Sequence, residues 1–321
     1  MNTTIPNSVT AIGRLAFYGC TGLTSFTIPS SVTSIRDGAF SACSGLTSIK
    51  VEEGNTVYDS RENCNAIIET ASNTLVAGCM NTTIPNSVTA IGNRAFQGCT
   101  GLTSFTIPAS VTAIGGAAFW GCTGLKSLTI PASVTTIGGS AFLGCTGLTS
   151  ISIPSSVTSI GGGAFWGCTG LKSISIPASV TSIGNSAFLG CTALTSISIP
   201  ASVTSIEGYA FSGCTGLSDI YALRTDPAAY NCSASAFYDV SAILHVPTGS
   251  KETYAATAPW SNFKNIVEYD ASGIEPIGLT PSEADAASYY NLQGQRIARP
   301  QRGQIVIQRN ADGTGRKVLV K

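Results

Sequence analysis

Cysteine is the residue type whose chemistry stands out first in this sequence. The chain of 321 residues holds 11 cysteines but only one histidine. Eight of the cysteines end an Ala-Phe-x-x-Cys block, and these are Cys20, Cys43, Cys99, Cys122, Cys145, Cys168, Cys191 and Cys214. No Cys-x-x-Cys pair occurs, so the usual ligand spacing of a structural zinc site is missing. The regular spacing instead predicts one internal ladder of buried, reduced thiols, because free cysteine packs as a small hydrophobic residue.

The other three cysteines fall outside this period. Cys64 and Cys79 flank a predicted β-hairpin with the strands NAIIET and TLVAGC, whose turn reads ASNT. They lie close enough along such a hairpin for a disulfide, and the sequence leaves open whether they form one. Cys232 has no obvious partner.

Catalytic groups are scarce. A Ser-His-Asp arrangement would have to use His245, and the chain lacks a G-x-S-x-G nucleophile elbow. His245 lies in an alternating strand pattern, which favours a structural role in a terminal cap. The acids Glu52, Glu53, Asp59 and Glu62 cluster near the predicted hairpin, where they solvate it or, as the alternative, bind calcium weakly. We therefore predict a protein that is not an enzyme and that uses no cofactor or metal.

A 23-residue period sets the elements that position these residues. Phe17 and Phe40 are one step apart, and the same step connects the phenylalanines from Phe96 to Phe211. A typical unit is GLKSLTIPASVTTIGGSAFLGCT, residues 124–146. Its L-x-x-L-x-I pattern at a period of 20–29 residues is typical of a leucine-rich repeat solenoid. The predicted fold is α/β: a right-handed coil with one parallel β-sheet face, short helical or 3-10 turns, and a small β tail at the C-terminus.

Each coil has too small an interior to fold alone. Leu125, Leu128 and Ile130 point inward from a strand that Pro131 ends, because proline has no N–H to donate. Val134 and Ile137 form a second extended stretch, and Ala141, Phe142 and Cys145 complete the inward set. At roughly 1.5–3 kcal/mol per large buried side chain, one coil does not offset its own chain entropy. We therefore expect stacked coils that share one hydrophobic interior.

Composition excludes several classes of partner. The formal net charge is zero and 11% of the residues are charged, so the chain lacks the basic surface that nucleic-acid binding needs. No run of 18 apolar residues occurs, so no membrane span is predicted. We expect a monomer with a long, neutral surface.

The period also divides the chain. We predict a solenoid over 1–216 with an irregular coil at 51–85, a C-terminal cap over 217–269, a linker at 270–288 and a small β tail at 289–321. Residues 1–13, MNTTIPNSVTAIG, return unchanged at 80–92, where they follow the irregular coil. This repetition predicts that the sequence is a fragment of a longer, secreted or surface-exposed protein whose signal peptide is missing here.

Two surfaces are candidate binding sites. The first is a hydroxyl face on the outer side of the main strands, where serine and threonine could bind protein or glycan or merely suit exposed strands. Its candidate residues are Ser104, Thr106, Ser127, Thr129, Ser150, Ser152, Ser173 and Ser175.

The second candidate surface follows the phenylalanine of each repeat. Because that phenylalanine points inward, the next residue should point out. This places Tyr18, Trp120, Leu143, Trp166 and Leu189 on an apolar ridge. Exposed apolar stripes mark contact sites, and tryptophan is enriched at binding hot spots. The alternative is that each ring lies flat on the neighbouring coil.

The unit IPASVTSIGxxAFxGCTGLTSI resembles the BspA-type leucine-rich repeats of surface proteins from Bacteroides-like bacteria. The segments GNTVYDSRENCNAIIET and VPTGSKETY…WSNFKNIVE are similar to variants in this family, so the resemblance covers about residues 1–269. It implies adhesion: binding to host matrix proteins such as fibronectin and fibrinogen, or to other cells. No short motif carries that activity, so the resemblance assigns no binding residue. The alternatives are a structural spacer that presents other domains, or a module that binds polysaccharide or mucin glycans.

The tail YYNLQGQRI…RGQIVIQ…KVLVK is similar to C-terminal segments of secreted Bacteroidetes proteins, some of which act as sorting domains. It departs from that pattern because Gln304 and Ile305, rather than an aromatic residue, follow Gly303. Its IVIQ and KVLV segments predict a hairpin.

Overall fold

The computed structural model of the protein describes residues 2–3, 5–269, 275–277, 288–290, 296–297, 305–309 and 315–320. The chain coils into a β-solenoid of about 11 turns, built from parallel strands and tight turns. The predicted leucine-rich repeat solenoid is therefore confirmed. The described residues contain a single α-helix, Lys251–Ala256.

The main stack consists of the strands of the L-x-x-L-x-I segments, with further strands from the first coil and the cap. Ser127 pairs with Ser104 on one side and with Ser150 on the other, so the register advances by one repeat per strand. Leu128 and Ile130 are both 4% exposed, as the alternation predicts. The strands of this stack belong to three parallel sheets. The first contains Asn2–Thr3, Ser25–Ile28 and Ser48–Val51, and the second contains Ser104–Thr106, Ser127–Thr129, Ser150–Ser152 and Ser173–Ser175. The third contains Ser196–Ile199, Asp219–Ala222, Ile243–Pro247 and Asn265–Tyr269.

A second parallel stack follows the proline of each repeat. After Pro131 the chain turns, with the Val134 N–H donating to the Pro131 carbonyl, and then enters a strand of two residues. These short strands are Ala11–Ile12, Ser34–Ile35, Ala90–Ile91, Ala113–Ile114, Thr136–Ile137, Ser159–Ile160, Ser182–Ile183 and Ser205–Ile206. These short strands are divided among three sheets, and the middle one also includes strands of the irregular coil.

The Ala-Phe-x-x-Cys blocks form a third side, which we call the turn stack. Here the Phe119 N–H donates to the Ala141 carbonyl of the next coil at 2.8 Å, and the Phe119 and Phe142 rings stack with centroids 5.4 Å apart. Within each block, N–H groups donate to the carbonyl three residues earlier, as in a 3-10 turn. The fully buried phenylalanines from Phe96 to Phe211 therefore form a continuous aromatic ladder.

The irregular coil divides the interior in two. Its strands Ala66–Glu69 and Thr74–Gly78 form the predicted hairpin, which joins the second stack through pairing of Thr74 with Ala90. Ile67 packs in an N-terminal core that extends from Ile12 to Cys79. Its neighbour Ile68 packs in the larger core that runs on to Ile266. The expectation of one shared interior is therefore wrong, because both faces of this hairpin are buried and each covers a different core. The coil also includes the strand Tyr58–Asp59 and the 3-10 turn Arg61–Asn63.

The turn stack passes over the irregular coil without a break. The Ala42 N–H donates to the Gln97 carbonyl at 2.7 Å, although the two residues are far apart in sequence. A Cβ atom added to Gly98 would lie 2.5 Å from the Ala42 Cα, so the two turns are in direct contact. We call this contact the seam. The extra residues are accommodated on the strand sides of the coil.

Aromatic side chains close the C-terminal end of the larger core. Tyr230, Tyr254 and Trp260 are fully buried, and the Trp260 ring centroid lies 5.1 Å from that of Tyr230. The 3-10 turns Pro227–Tyr230 and Trp260–Asn262 and the α-helix position these rings. The helix Lys251–Ala256 is followed by the last strand of the main stack, Asn265–Tyr269.

The described part of the tail forms a five-stranded sheet. Ile305–Arg309 and Gly315–Val320 pair antiparallel, which is the predicted hairpin. The sheet also contains Glu275–Ile277, Ser288–Tyr290 and Arg296–Ile297. Glu275–Ile277 lies inside the segment 270–288 that composition favoured as a linker, and it pairs with the last strand. The other residues of that segment, apart from Ser288, lie outside the described part of the chain.

Candidate functional site

The backbone of the turn stack explains which side chains it exposes. In the coil around Phe119, both Ala117 and Gly121 have left-handed backbone conformations, with φ of 55° and 71°. These two residues reverse the chain on either side of the phenylalanine, which points inward and is fully buried. Trp120, between them, is therefore directed outward. The same pair of left-handed positions recurs in the following coils.

The apolar ridge is present on this outward side. Trp120 is 38% exposed and Trp166 is 46% exposed, whereas Leu143 and Leu189 between and beyond them are half-buried. The Trp120 ring edge also lies over the next coil, since its Cδ1 is 3.9 Å from the position of a Cβ on Gly144. The Trp120 ring therefore approaches the neighbouring coil and still presents a large apolar surface. Tyr18, at 56% exposed, lies on the other side of the seam.

Equivalent positions near the seam and near the cap are different. Ser41, Gln97 and Ser212 also follow a repeat phenylalanine, yet all three are buried. They interrupt the apolar ridge, which is therefore continuous only from Trp120 to Leu189.

Two exposed tyrosines lie beyond this interruption, and the 23-residue period did not predict them. Tyr238 is 60% exposed and Tyr209 is 48% exposed, and their rings meet edge to face with centroids 6.5 Å apart. Tyr238 follows Phe237, which stacks on Phe211 as the next step of the aromatic ladder. The SAFY motif, residues 235–238, is the sequence signal for this exposed Tyr238. Its Phe237 follows Phe211 by 26 residues, so the motif does not fit the 23-residue period.

The hydroxyl face has the predicted alignment. Ser104, Ser127, Ser150 and Ser173 pair in one column along the main stack. Thr106, Thr129, Ser152 and Ser175 pair in a second column. All of them are exposed except Ser152 and Ser175, which are half-buried. The strand spacing places successive hydroxyls of a column about 4.8 Å apart.

The C-terminal sheet of the main stack, beyond these columns, carries larger side chains. The His245 Nε2 lies 2.7 Å from the Asp219 Oδ1, and the imidazole stacks on the Tyr221 ring with centroids 4.3 Å apart. Tyr269 meets Tyr221 edge to face at 6.1 Å. Ser218 donates to the other carboxylate oxygen of Asp219 rather than to the imidazole. Since a Ser-His-Asp triad needs the hydroxyl bonded to the imidazole, this geometry is not that of a serine nucleophile.

The thiol ladder is an internal, structural feature. The Cys145 Sγ donates to the Phe119 carbonyl of the preceding coil at 3.1 Å, and the ladder cysteines from Cys122 to Cys214 repeat this bond. Burial raises the pKa of the Cys145 thiol to about 12 and that of Cys43 to about 11. These thiols are therefore protonated and unreactive at neutral pH.

Not every predicted ladder thiol is buried. Cys20 is exposed, because in the described residues no complete coil covers the N-terminal side of its turn. Cys99 is half-buried, and its Sγ donates to the carbonyl of the hairpin residue Gly78 rather than to that of a repeat phenylalanine. Cys64 and Cys79 are both free, so they form no disulfide, and Cys232 is free as well.

Two of the acids in the irregular coil, Asp59 and Glu52, have partners within the protein. Asp59 forms an ion pair with Arg61 at 2.7 Å, and the Glu52 Oε2 accepts from the Ser30 N–H at 3.0 Å. Across the described residues, no cluster of three or more histidine, cysteine, aspartate or glutamate side chains is arranged to hold a metal ion. In the same part of the chain, no helix has the length and apolarity needed to cross a membrane.

Solved structures with the same fold come from bacterial leucine-rich repeat proteins. A protein from Eubacterium ventriosum aligns with a TM-score of 0.65 at 26% identity, over 74% of this chain and 63% of that one. A leucine rich cell surface protein from Faecalibacterium prausnitzii aligns with a TM-score of 0.55 at 35% identity, over 74% of this chain and 56% of that one. The pneumococcal vaccine antigen PcpA, at 20% identity and a TM-score of 0.55, shares the fold over 78% of this chain and 56% of its own. This chain thus covers less than two thirds of each of these proteins.

Among curated proteins, no sequence matches this chain. The family comparison does give a match: the BspA type leucine rich repeat region aligns in six copies over residues 1–68, 77–194 and 141–267. Proteins of this family and fold are typically non-enzymatic and generally bind proteins. Because the match covers most of the sequence, as the resemblance of the repeat unit implied, the chain belongs to the BspA type leucine rich repeat family.

Proposed function

We propose that this chain is a non-enzymatic, extracellular binding module of the adhesion type, which contacts a host matrix protein or another cell through the apolar ridge. The observation that carries the proposal is the exposure of Trp120 and Trp166 in a region almost without charge. Between Arg94 and Glu207 the sequence has two charged residues, Lys126 and Lys172. A solvent-exposed surface with so few charges and two exposed tryptophans is typical of a contact site.

The rigid backbone of the turn stack supports this role. The Trp120 N–H donates to the Ala117 carbonyl at 3.1 Å, and the Gly121 N–H donates to the Leu143 carbonyl at 2.7 Å. These bonds fix the spacing of the ridge side chains before a partner arrives. A preorganised surface loses little conformational entropy on binding, which favours affinity.

The family and the fold neighbours support a location at the cell surface. The Faecalibacterium prausnitzii protein is described as a cell surface protein. A protein exposed outside the cell would meet matrix proteins, which the BspA-type resemblance also implies as partners. We therefore propose that this chain is secreted or held at the bacterial surface.

Immobilised fibronectin and fibrinogen test the proposal by surface plasmon resonance. The variants W120S and W166S should each weaken binding by at least about tenfold, because a hot-spot residue contributes 2 kcal/mol or more. The variant Thr136→Ala, at an exposed position of the second stack outside both candidate surfaces, is the control and should bind like the unsubstituted chain. Circular dichroism and thermal unfolding verify that all three variants are folded.

Two results would contradict this function. If neither matrix protein binds, the adhesion proposal fails for these partners. If both bind but the tryptophan variants keep full affinity, the ridge is not the contact surface. If the chain is instead a structural spacer, neither matrix protein should bind. Both tryptophan variants should then keep the function of the protein in the parent cell.

A further inference from the structure

We infer a second binding site, distinct from the ridge: Asp219, Tyr221, His245 and Tyr269 form a saccharide-binding subsite at the C-terminal end of the hydroxyl face. The inference does not rest on the proposed adhesion function, because the two surfaces lie on different sides of the coil.

The register of the C-terminal sheet places the Tyr221 side chain at the end of the line of the second hydroxyl column, next to Ser198. Tyr221 pairs with Ser198 on one side and with His245 on the other. Its ring stacks on the His245 imidazole, so the opposite ring face is directed toward Ser198. The residue directly paired with Tyr221 on that strand is a serine, whose small side chain leaves room on this ring face for a ligand lying along the column.

The groups behind the ring hold it in place. The Asp219 carboxylate binds the His245 imidazole, and Tyr269 contacts the Tyr221 ring by its edge. All four side chains are half-buried. A half-buried aromatic ring that is supported on one face and open on the other is a preorganised stacking surface.

The chemistry of the cluster fits a neutral sugar. The face of an aromatic ring is negative, so it attracts the C–H groups on the flat side of a pyranose ring. Each carboxylate oxygen of Asp219 already accepts one hydrogen bond, from Ser218 and His245 respectively, and each can accept another from a sugar hydroxyl. The negative charge of Asp219 disfavours an anionic ligand.

The column beyond Tyr221 would hold the rest of the chain. Ser198 follows Ser175 by one repeat of 23 residues, so it has the equivalent position in the next coil, in the neighbouring sheet. Ser175 in turn pairs with Ser152. Hydroxyls repeating at about 4.8 Å are suited to hydrogen bonds with successive sugar units of an extended polysaccharide. The subsite would therefore bind the end of a chain rather than its middle.

Isothermal titration calorimetry with four neutral β-1,4-linked hexasaccharides tests the inference: those of glucose, mannose, xylose and N-acetylglucosamine. At least one should show saturable binding. The variant Tyr221→Ala should weaken it by at least about tenfold, which corresponds to about 1.4 kcal/mol. Tyr221→Phe keeps the ring and should stay within about threefold of the unsubstituted chain. Tyr209→Ala, an exposed tyrosine on the turn stack, is the matched control and should have no effect.

A second variant covers the case in which Tyr221→Ala fails to fold. Ser198→Trp adds a bulky side chain against the open ring face without removing any member of the cluster, and it should also abolish binding. The inference is overturned if no hexasaccharide of the panel binds. It is equally overturned if Tyr221→Ala, in folded form, or Ser198→Trp binds like the unsubstituted chain. The ridge variants should leave saccharide binding unchanged, so failure here is distinguishable from failure of the adhesion proposal.

Discussion

At the scale of single residues, the buried thiols make the stability of the fold sensitive to alkaline pH. Cys145 is fully buried, and burial raises its pKa to about 12. The pKa of Cys122 and Cys168 is also raised well above its ordinary value for the same reason. In the unfolded chain these thiols ionise above about pH 8.5. Between that pH and about 12 the unfolded state therefore loses protons that the folded state keeps, and the fold is destabilised.

This difference predicts a fall in the free energy of unfolding as the pH rises. The thiol contribution is fully present below about pH 8.5 and is lost at about 1.4 kcal/mol per pH unit per thiol above it. From pH 8 to pH 10 we expect urea unfolding, under reducing conditions, to show a loss of more than about 2 kcal/mol. The double variant Cys145→Ser and Cys168→Ser should show a smaller loss, because a serine hydroxyl does not ionise. An equal pH dependence in both proteins would contradict this explanation.

At the scale of elements, the hairpin of the irregular coil is a wall between two cores. Ile67 and Ile68 are both fully buried, yet they belong to different clusters. Their neighbours on the paired strand behave alike, with Ala77 in the N-terminal core and Leu75 in the larger one. The hairpin thus stabilises each core from a different face.

Substituting these two isoleucines in turn should loosen different parts of the molecule. Ile67→Ala and Ile68→Ala should each cost about 2–5 kcal/mol, because each leaves a buried cavity. In a hydrogen-exchange experiment, Ile67→Ala should raise the exchange rate of the backbone amides in Ser25–Ile28 and Ser48–Val51. Ile68→Ala should instead raise it in Ala90–Ile91 and Ala113–Ile114. The division is disproved if both variants accelerate exchange in the same strands.

The hairpin also shows how far the sequence determines the fold. The 23-residue step of the phenylalanines predicts the coil, its register and the inward residues, since those depend on local pattern. The two-sided burial of the hairpin had a signal as well, because Ala66, Ile67 and Ile68 are consecutive apolar residues, and such runs are typical of strands buried on both faces. Which core each face covers depends on the path of the chain around the seam, which local pattern does not determine.

The candidate surfaces were predictable to a similar extent. The alternation of the main strands gives the hydroxyl columns, and the inward phenylalanine gives the outward Trp120 and Trp166. The cluster at Tyr221 was not predictable, because the spacing from Tyr221 to His245 is 24 residues and departs from the period. The pairing of these strands depends on the packing of the cap, and so does the contact between the two rings.

At the scale of the whole molecule, stability should vary along the solenoid. Phe142 is fully buried and stacks on Phe119 and Phe165, with both centroid distances 5.4 Å. Phe17, in the first coil, is half-buried and stacks on a single ladder neighbour, Phe40. Since each coil of a solenoid contacts only its neighbours, the first coils should open more easily than the centre.

A matched pair of phenylalanine variants tests this gradient. Phe142→Ala should cost about 3–5 kcal/mol, because it interrupts the ladder in the middle of the larger core. Phe17→Ala should cost clearly less and leave the larger core intact. Urea unfolding followed by tryptophan fluorescence reports on the larger core, which lies beneath Trp120 and Trp166. Equal losses from the two substitutions would show that the solenoid unfolds as one unit.

The seam between Ala42 and Gln97 has a consequence for how such arrays change length. Because the two turns already meet, an entire irregular coil fits between regular ones without altering the phase of the repeats on the turn side. Removing residues 43–98 would bring Ala42 to Cys99 and restore an Ala-Phe-x-x-Cys block across the join. Irregular coils can thus be inserted or removed as whole units, by evolution or by design. The array then changes in length or in surface while the turn stack keeps its register.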